Sequence, residues 1–299
     1  MNVKQNRPGI LIILGVLFLL ILAAMLSVYL KPAQTGGFDG NPAYQDVAYQ
    51  VGLGARTPGS SAHAVEVKWI VQELKKAGWQ TETQDGQMME HPYQNIVAKL
   101  GSGTPWIILG AHYDSRMTAD QDPNVAKRIQ PVPGADDGAS GVAVLLELAR
   151  TIPTNLHGQI WLVFFDIEDQ GDIPGWDWIL GSKAFANNLN GKPDAVVVID
   201  MIGDKDLNIF MEKNSNPTLN QEIWSQAAAL GYQDEFIPKY KYSMEDDHSP
   251  FLQKGILAVD LIDFDYPYWH TTADTIDKVS ARSLRIVGDT LLHWISVHE

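Results

Sequence analysis

No cysteine occurs in the 299 residues. That absence excludes disulfide staples and thiolate-ligated metal sites, so any zinc centre has to be assembled from histidine, aspartate and glutamate. Positive charge is scarce as well: 22 Lys and Arg stand against 36 Asp and Glu, a formal net charge of −14. Phosphate recognition needs clustered Lys and Arg, so nucleic acid is excluded as a partner. The acidic surplus suits a self-repelling soluble surface or a carboxylate-rich metal site. Internal repeats and low-complexity tracts are missing too, while a hydrophobic content of 45% is enough for a full-sized core.

Long apolar runs are missing with one exception. Residues 9–30, GILIILGVLFLLILAAMLSVYL, carry no charge and lie between Lys4 and Arg7 on one side and Lys31 on the other. About 20 apolar residues span the hydrocarbon core of a bilayer. The run lacks the A-x-A pattern of a cleaved leader and predicts one N-terminal transmembrane helix, retained as an anchor. Residues 1–8 then form a cytoplasmic tail, and the rest of a single-pass membrane protein is extracytoplasmic. Residues 31–43, KPAQTGGFDGNPA, are rich in Gly, Pro and polar side chains and read as a linker. The remainder, 44–299, reads as one folded domain.

Within that domain strand and helix signals alternate. Ser60 or Ser61 caps a helix reaching about Ala77, with Val67, Ile70, Val71 and Leu74 on one face and Gly78 as its stop. Residues 95–100 and 106–111 are short apolar strands separated by the turn GSGTP. Residues 138–151 have helical spacing, and Leu284, Val287, Leu291 and Ile295 mark a closing amphipathic helix. The runs 159–166, 195–201 and 256–262 are continuously apolar at strand length, as expected of strands covered on both faces. The pattern predicts a single three-layer α/β sandwich whose mixed, largely parallel central sheet is flanked by helices.

In open sheets of this kind ligands bind beyond the carboxyl ends of the strands. There the sequence places His112, Asp114, Asp136, Asp137, Asp166, Glu168, Asp169 and Asp200, followed later by Glu245, Asp246, Asp247, His248 and His270. Each has an ordinary reading when taken alone. Asp137 reads as a helix N-cap, His112 as a hydrogen-bonded core histidine, and Glu168-Asp169 as a solvated pair. Asp246-Asp247 reads as turn residues, and His270 as packing beside Trp269. Together they would crowd one cleft with negative charge, which is costly without a cation to offset it. Asp114 faces the same way as His112 two residues earlier and is placed to orient its imidazole.

The ordered series AHYDS, PVPGADDGASG, FDIED, VIDMIG, EDDHSPF and WHTTADT resembles metallopeptidase family 28, the zinc aminopeptidase and glutaminyl cyclase superfamily, over roughly residues 44–295. The resemblance implies metal-binding roles for His112, Asp137, Asp169, Asp200 and His270, with Glu168 as general acid/base. Asp169 departs from the pattern, since that metal position is often Glu in the family; the shorter side chain is still a competent oxygen ligand. HYDSRMTADQDPN, GWDWILGS, EDDHSPF and the Trp269-His270 pair are similar to the glutaminyl-peptide cyclotransferases of bacteria. For that branch the resemblance implies one Zn2+ on Asp137, Asp169 and His270, Asp246 as a further catalytic residue, and a pocket walled by Trp176, Trp178 and Trp269. The substrate is then a peptide N-terminus carrying Gln, which cyclises to pyroglutamate with loss of ammonia. The alternative is an aminopeptidase with two Zn2+, the second on His112 and Asp200 with Asp137 bridging; with a single Zn2+, His112 and Asp200 hydrogen-bond to each other instead. A third reading is a catalytically inactive binding ectodomain.

Overall fold

The computed structural model describes residues 37–298. The predicted anchor at 9–30 and the tail at 1–8 lie outside the described residues; among the described residues no helix is long and apolar enough to cross a membrane. The fold starts earlier than the sequence suggests. Asp39 accepts the N–H of Asn41 and caps a helix, α1, at Gly40–Gly52, which buries Ala43, Val47 and Gln50. A Cβ on Gly40 would stand 1.9 Å from the carbonyl oxygen of Ala281, so glycine lets this helix seat against the last one. Phe38 is buried as well. The boundary predicted at residue 43 is therefore corrected to just before Phe38: the Gly, Asn and Pro read as linker are a helix start.

Six strands form the central sheet. β1 is Gln80–Met88, β2 His91–Gly101, β3 Trp106–His112, β4 Gln159–Phe165 and β5 Ala195–Asp200. Two short strands, β6 at Ile209–Met211 and β7 at Phe236–Tyr240, pair apart from it, and β8, Ala258–Ile262, completes it. The order is β1-β2-β4-β3-β5-β8; β1, β2 and β4 pair antiparallel, whereas β4, β3, β5 and β8 run parallel. The sheet is thus mixed, as expected.

Side-chain alternation divides each central strand between two cores. Ile107, Leu109, Ile160, Leu162, Val197 and Ile199 pack with residues of α1, of α2 (Ser61–Lys76), α3 (Ala139–Thr151), α5 (Pro217–Ala229) and α7 (Ala281–His298). Ile108, Val163, Phe165, Val196 and Val198 turn the other way, toward Phe185 of α4 (Leu180–Asn188) and Phe251 of α6 (Ser249–Gln253). These two apolar layers account for the three-layer sandwich. All four parallel strands end on one edge, where His112 is level with Phe165, and Asp200 with Ile262.

Candidate active site

His112 is the last residue of β3, and its Nε2 lies 3.2 Å from Asp137 Oδ1 and 3.1 Å from Asp200 Oδ1 at the end of β5. Asp137 also faces the other way: its Oδ2 is 3.8 Å from His270 Nε2, which in turn is 2.9 Å from Asp169 Oδ1. Two donor groups result, His112–Asp137–Asp200 and Asp137–Asp169–His270, each with ligand atoms within 4.8 Å of one another and every residue buried. Ligand atoms about 2.0–2.2 Å from one tetrahedral zinc stand roughly 3.3–3.6 Å apart, so these spacings fit a shared cation. Asp137 Oδ2 and Asp169 Oδ2 are buried with no hydrogen-bond donor, which is the deficit a cation relieves. The N-cap reading of Asp137 is rejected, because α3 begins after Gly138 without a side-chain cap.

The scaffold fixes each donor. Asp114 lies 3.6 Å from His112 Nδ1, the predicted orienting position, and its carboxylate also accepts the N–H groups of Glu168 (3.0 Å) and Asp169 (3.4 Å) and Nε2 of Gln170 (2.9 Å). The loop before α3 is held from below: Arg56 donates to the carbonyls of Pro133 and Gly134, and Asp274 accepts the N–H groups of Asp136 and Asp137. Gly138 lets His112 pack on this loop, since a Cβ there would meet the imidazole at 2.6 Å. Two non-glycine residues beside the donors, Ile167 and Met201, and one donor, His270, have φ of 47°, 44° and 54°. This is the left-handed region, which is uncommon for any side chain and most strained for a β-branched one.

Sequence reasoning missed Arg116 and Asp120. Asp120 Oδ1 is 3.5 Å from His270 Nδ1 and accepts from Arg116 Nε at 2.5 Å. Arg116 is buried, donates to the carbonyls of Asp169 (3.0 Å) and Gly171 (2.9 Å), and lies 4.9 Å from the ring of Trp178. Neither is singled out by the sequence, because the partners that give them a role, Asp169 and His270, lie far along the chain. Asp166, one of the strand-end carboxylates, stays apart: it pairs with His63 Nε2 at 2.7 Å and accepts the N–H of Gln94. Asp136 likewise turns away and accepts the N–H of Gly203.

Glu168 is buried beside the donors, and burial followed by the Asp247, Asp246 and Asp169 carboxylates pushes it well above the usual carboxylate range against the pull of His112. Burial and then Asp137 push Asp169 up to about 6; burial and then Asp200 do the same to Asp246. A cavity of about 260 Å³ opens over these groups, lined by Glu168, Trp178, Met201, Met244, Asp246, Ile262, Phe264 and Trp269 together with Asp137, Asp169, Asp200 and His270. Trp269 stacks on His270 at 3.7 Å and Trp178 stacks on the same ring at 5.9 Å. Trp176, expected as a third wall, is elsewhere: it stacks on His91 at 3.5 Å, beside the start of β2. Its partner is 85 positions away in the chain, out of reach of any local pattern.

Residues 95–295, two thirds of the chain, match the model of peptidase family M28. A glutaminyl cyclase from Porphyromonas gingivalis is 33% identical, with a TM-score of 0.84 over 88% of this chain and 99% of that one. A Zn-dependent exopeptidase from Parabacteroides distasonis is 31% identical, with a TM-score of 0.82 over 86% and 97%. Among curated sequences, the glutaminyl-peptide cyclotransferase of Boiga irregularis is 28% identical over 280 residues, 75% of this chain and 73% of that one. Taken with the order of the motifs and the geometry of the strand ends, these matches show that the chain belongs to peptidase family M28.

Proposed function

We propose that this chain is a zinc-dependent glutaminyl-peptide cyclotransferase. The observation that carries the reading is the small, partly aromatic pocket: Trp178 and Trp269 stack on His270, and Glu168 and Asp246 line the same cavity. Asp137, Asp169 and His270 would hold one Zn2+, which when bound supplies Lewis-acid polarisation of a carbonyl oxygen. Glu168 takes a proton from the α-amine of an N-terminal Gln, whose nitrogen bonds to the side-chain amide carbon. As the carbon–nitrogen bond to the amide breaks, Glu168 returns the proton and ammonia leaves. Asp246 steadies the departing nitrogen. The tryptophans hold the folded glutamine in place and keep bulk water out, since intramolecular attack needs orientation above all.

A second reading is supported by Asp137 reaching His112 and Asp200 as well. Filled by a second Zn2+, that group suits an aminopeptidase in which Glu168 activates water. Incubating the protein with Gln-Ala peptides, with and without chelator, separates the readings. Ammonia with an intact peptide backbone supports the cyclase, free glutamine supports the peptidase, and neither product leaves a binding ectodomain. The proposal also places the domain outside the cytoplasm, anchored by residues 9–30; the support is the length of that uncharged run.

A further inference from the structure

Behind the wall formed by Met244, Glu245 and Asp246 is a second set of buried ionisable groups that the proposed reaction does not use. His248 is wholly buried, with Nε2 3.4 Å from Glu212 Oε2 and Nδ1 3.8 Å from Asp260 Oδ2. Glu212 directly follows β6, and Asp260 is the middle residue of β8. Two carboxylates therefore flank opposite nitrogens of one buried ring at ion-pair distance, although neither contact has hydrogen-bond geometry; a single ring proton can serve only one of them.

Glu212 also ties the surrounding backbone together. Its Oε1 accepts the N–H groups of Asn214 and Met244, both at 2.9 Å, and its Oε2 accepts the N–H (2.6 Å) and hydroxyl (2.9 Å) of Ser215. Ser215 Oγ in turn accepts the N–H of Asp260 at 3.0 Å, and Asn214 Nδ2 donates to the Met244 carbonyl at 2.9 Å. The turn after β6, the stretch leading into Asp246, and β8 are thus joined through one carboxylate. Buried ionic groups are weak evidence for net stability, and in some proteins what they fix is conformation.

We propose that Glu212, His248 and Asp260 form a positioning device for Asp246, holding residues 244–248 so that its carboxylate stays in the cavity with Glu168. The inference rests on the cyclase reading, in which Asp246 acts on the leaving nitrogen. His248 touches no reacting atom. Its removal displaces Asp246, and a misplacement of about 1 Å costs as much as 10²-fold in rate. An interaction made only in the transition state is lost from kcat and leaves KM in place.

The test uses the full chain and measures ammonia release from Gln-Ala peptides, zinc content and thermal unfolding for His248→Leu, His248→Gln, Asp246→Asn and the double variants. His248→Leu is expected to keep its zinc and a single unfolding transition, to lose about tenfold or more in kcat, and to hold KM within about twofold. His248→Gln, which retains a donor, recovers part of that loss. Adding either change to Asp246→Asn costs less than about twofold, because both act through one carboxylate. A wild-type kcat in His248→Leu, or additive losses in the double variant, overturns the inference. If His248→Leu does not fold, His248→Gln decides by the same criteria. If the wild type hydrolyses the peptide instead, the cyclase reading falls while the same ratios, taken on hydrolysis, still judge the trio; a wild type with neither activity overturns both.

Discussion

The two ends of the central sheet are built on different principles. At the carboxyl end, buried Asp137, Glu168, Asp169, Asp200 and Asp246 crowd around His112 and His270, and oxygens of Asp137 and Asp169 have no donor. At the amino end, a cavity of about 180 Å³ is lined mainly by apolar side chains, among them Ile107, Leu219, Leu257 and Trp294. There Asp194 accepts the N–H of Trp106 at 2.7 Å. One end satisfies its carboxylate within the fold; the other gathers orphaned carboxylate oxygens of Asp137 and Asp169 beside two imidazoles, a donor set that a bound cation would draw together.

The sharpest way to break the comparison is Asp137→Ala, which removes the residue common to both donor groups. It is expected to abolish both bound zinc and turnover, read by metal analysis and ammonia release; retained activity without metal would overturn the contrast. Next comes Glu168→Gln, which should keep zinc and KM and lower kcat by about 10²–10⁴.

An acid titration probes the ground behind the pocket. Burial raises the pKa of Glu212, but His248 and the N–H groups of Asn214 and Met244 outweigh it and hold it at about 2 against an ordinary 4.5. A depressed carboxylate stabilises the fold above its unfolded value, so this contribution is complete above about pH 4.5 and is lost as pH falls through about 2. Glu212→Gln should flatten that part of the acid-unfolding curve.

Smaller effects sharpen the map. Trp178→Ala should lower kcat/KM about tenfold through a lost ring contact of ~1 kcal/mol or more, whereas Trp176→Ala leaves it within about twofold. At the amino end, Asp194→Asn should cost about 1 kcal/mol in thermal unfolding and nothing in kcat.

The parallel strands and the helix at Ser61–Lys76 were legible because burial on two faces, or on one, imposes its own periodicity. β1 was not: QTETQDGQM is an edge strand with mostly exposed side chains, so no face demands apolar residues. α1 was hidden for a related reason, since its burial rests on Ala43, Val47 and one glutamine, and its glycine serves contact with another helix. In the site, the strand-end donors could be read from position along the chain. Arg116, Asp120 and the stacking partner of Trp176 depend on loops folding across one another, and short polar loop residues carry no period from which to infer that.

The left-handed backbone at Ile167 bears on how this protein can change. Ile167 is wholly buried with Tyr93, Leu180 and Ala184, so glycine there would relieve the strained φ but delete a core side chain worth about 2–5 kcal/mol. Thermal robustness and turnover should therefore fall together at that position, because the packing that tolerates the strain is also what aims Glu168.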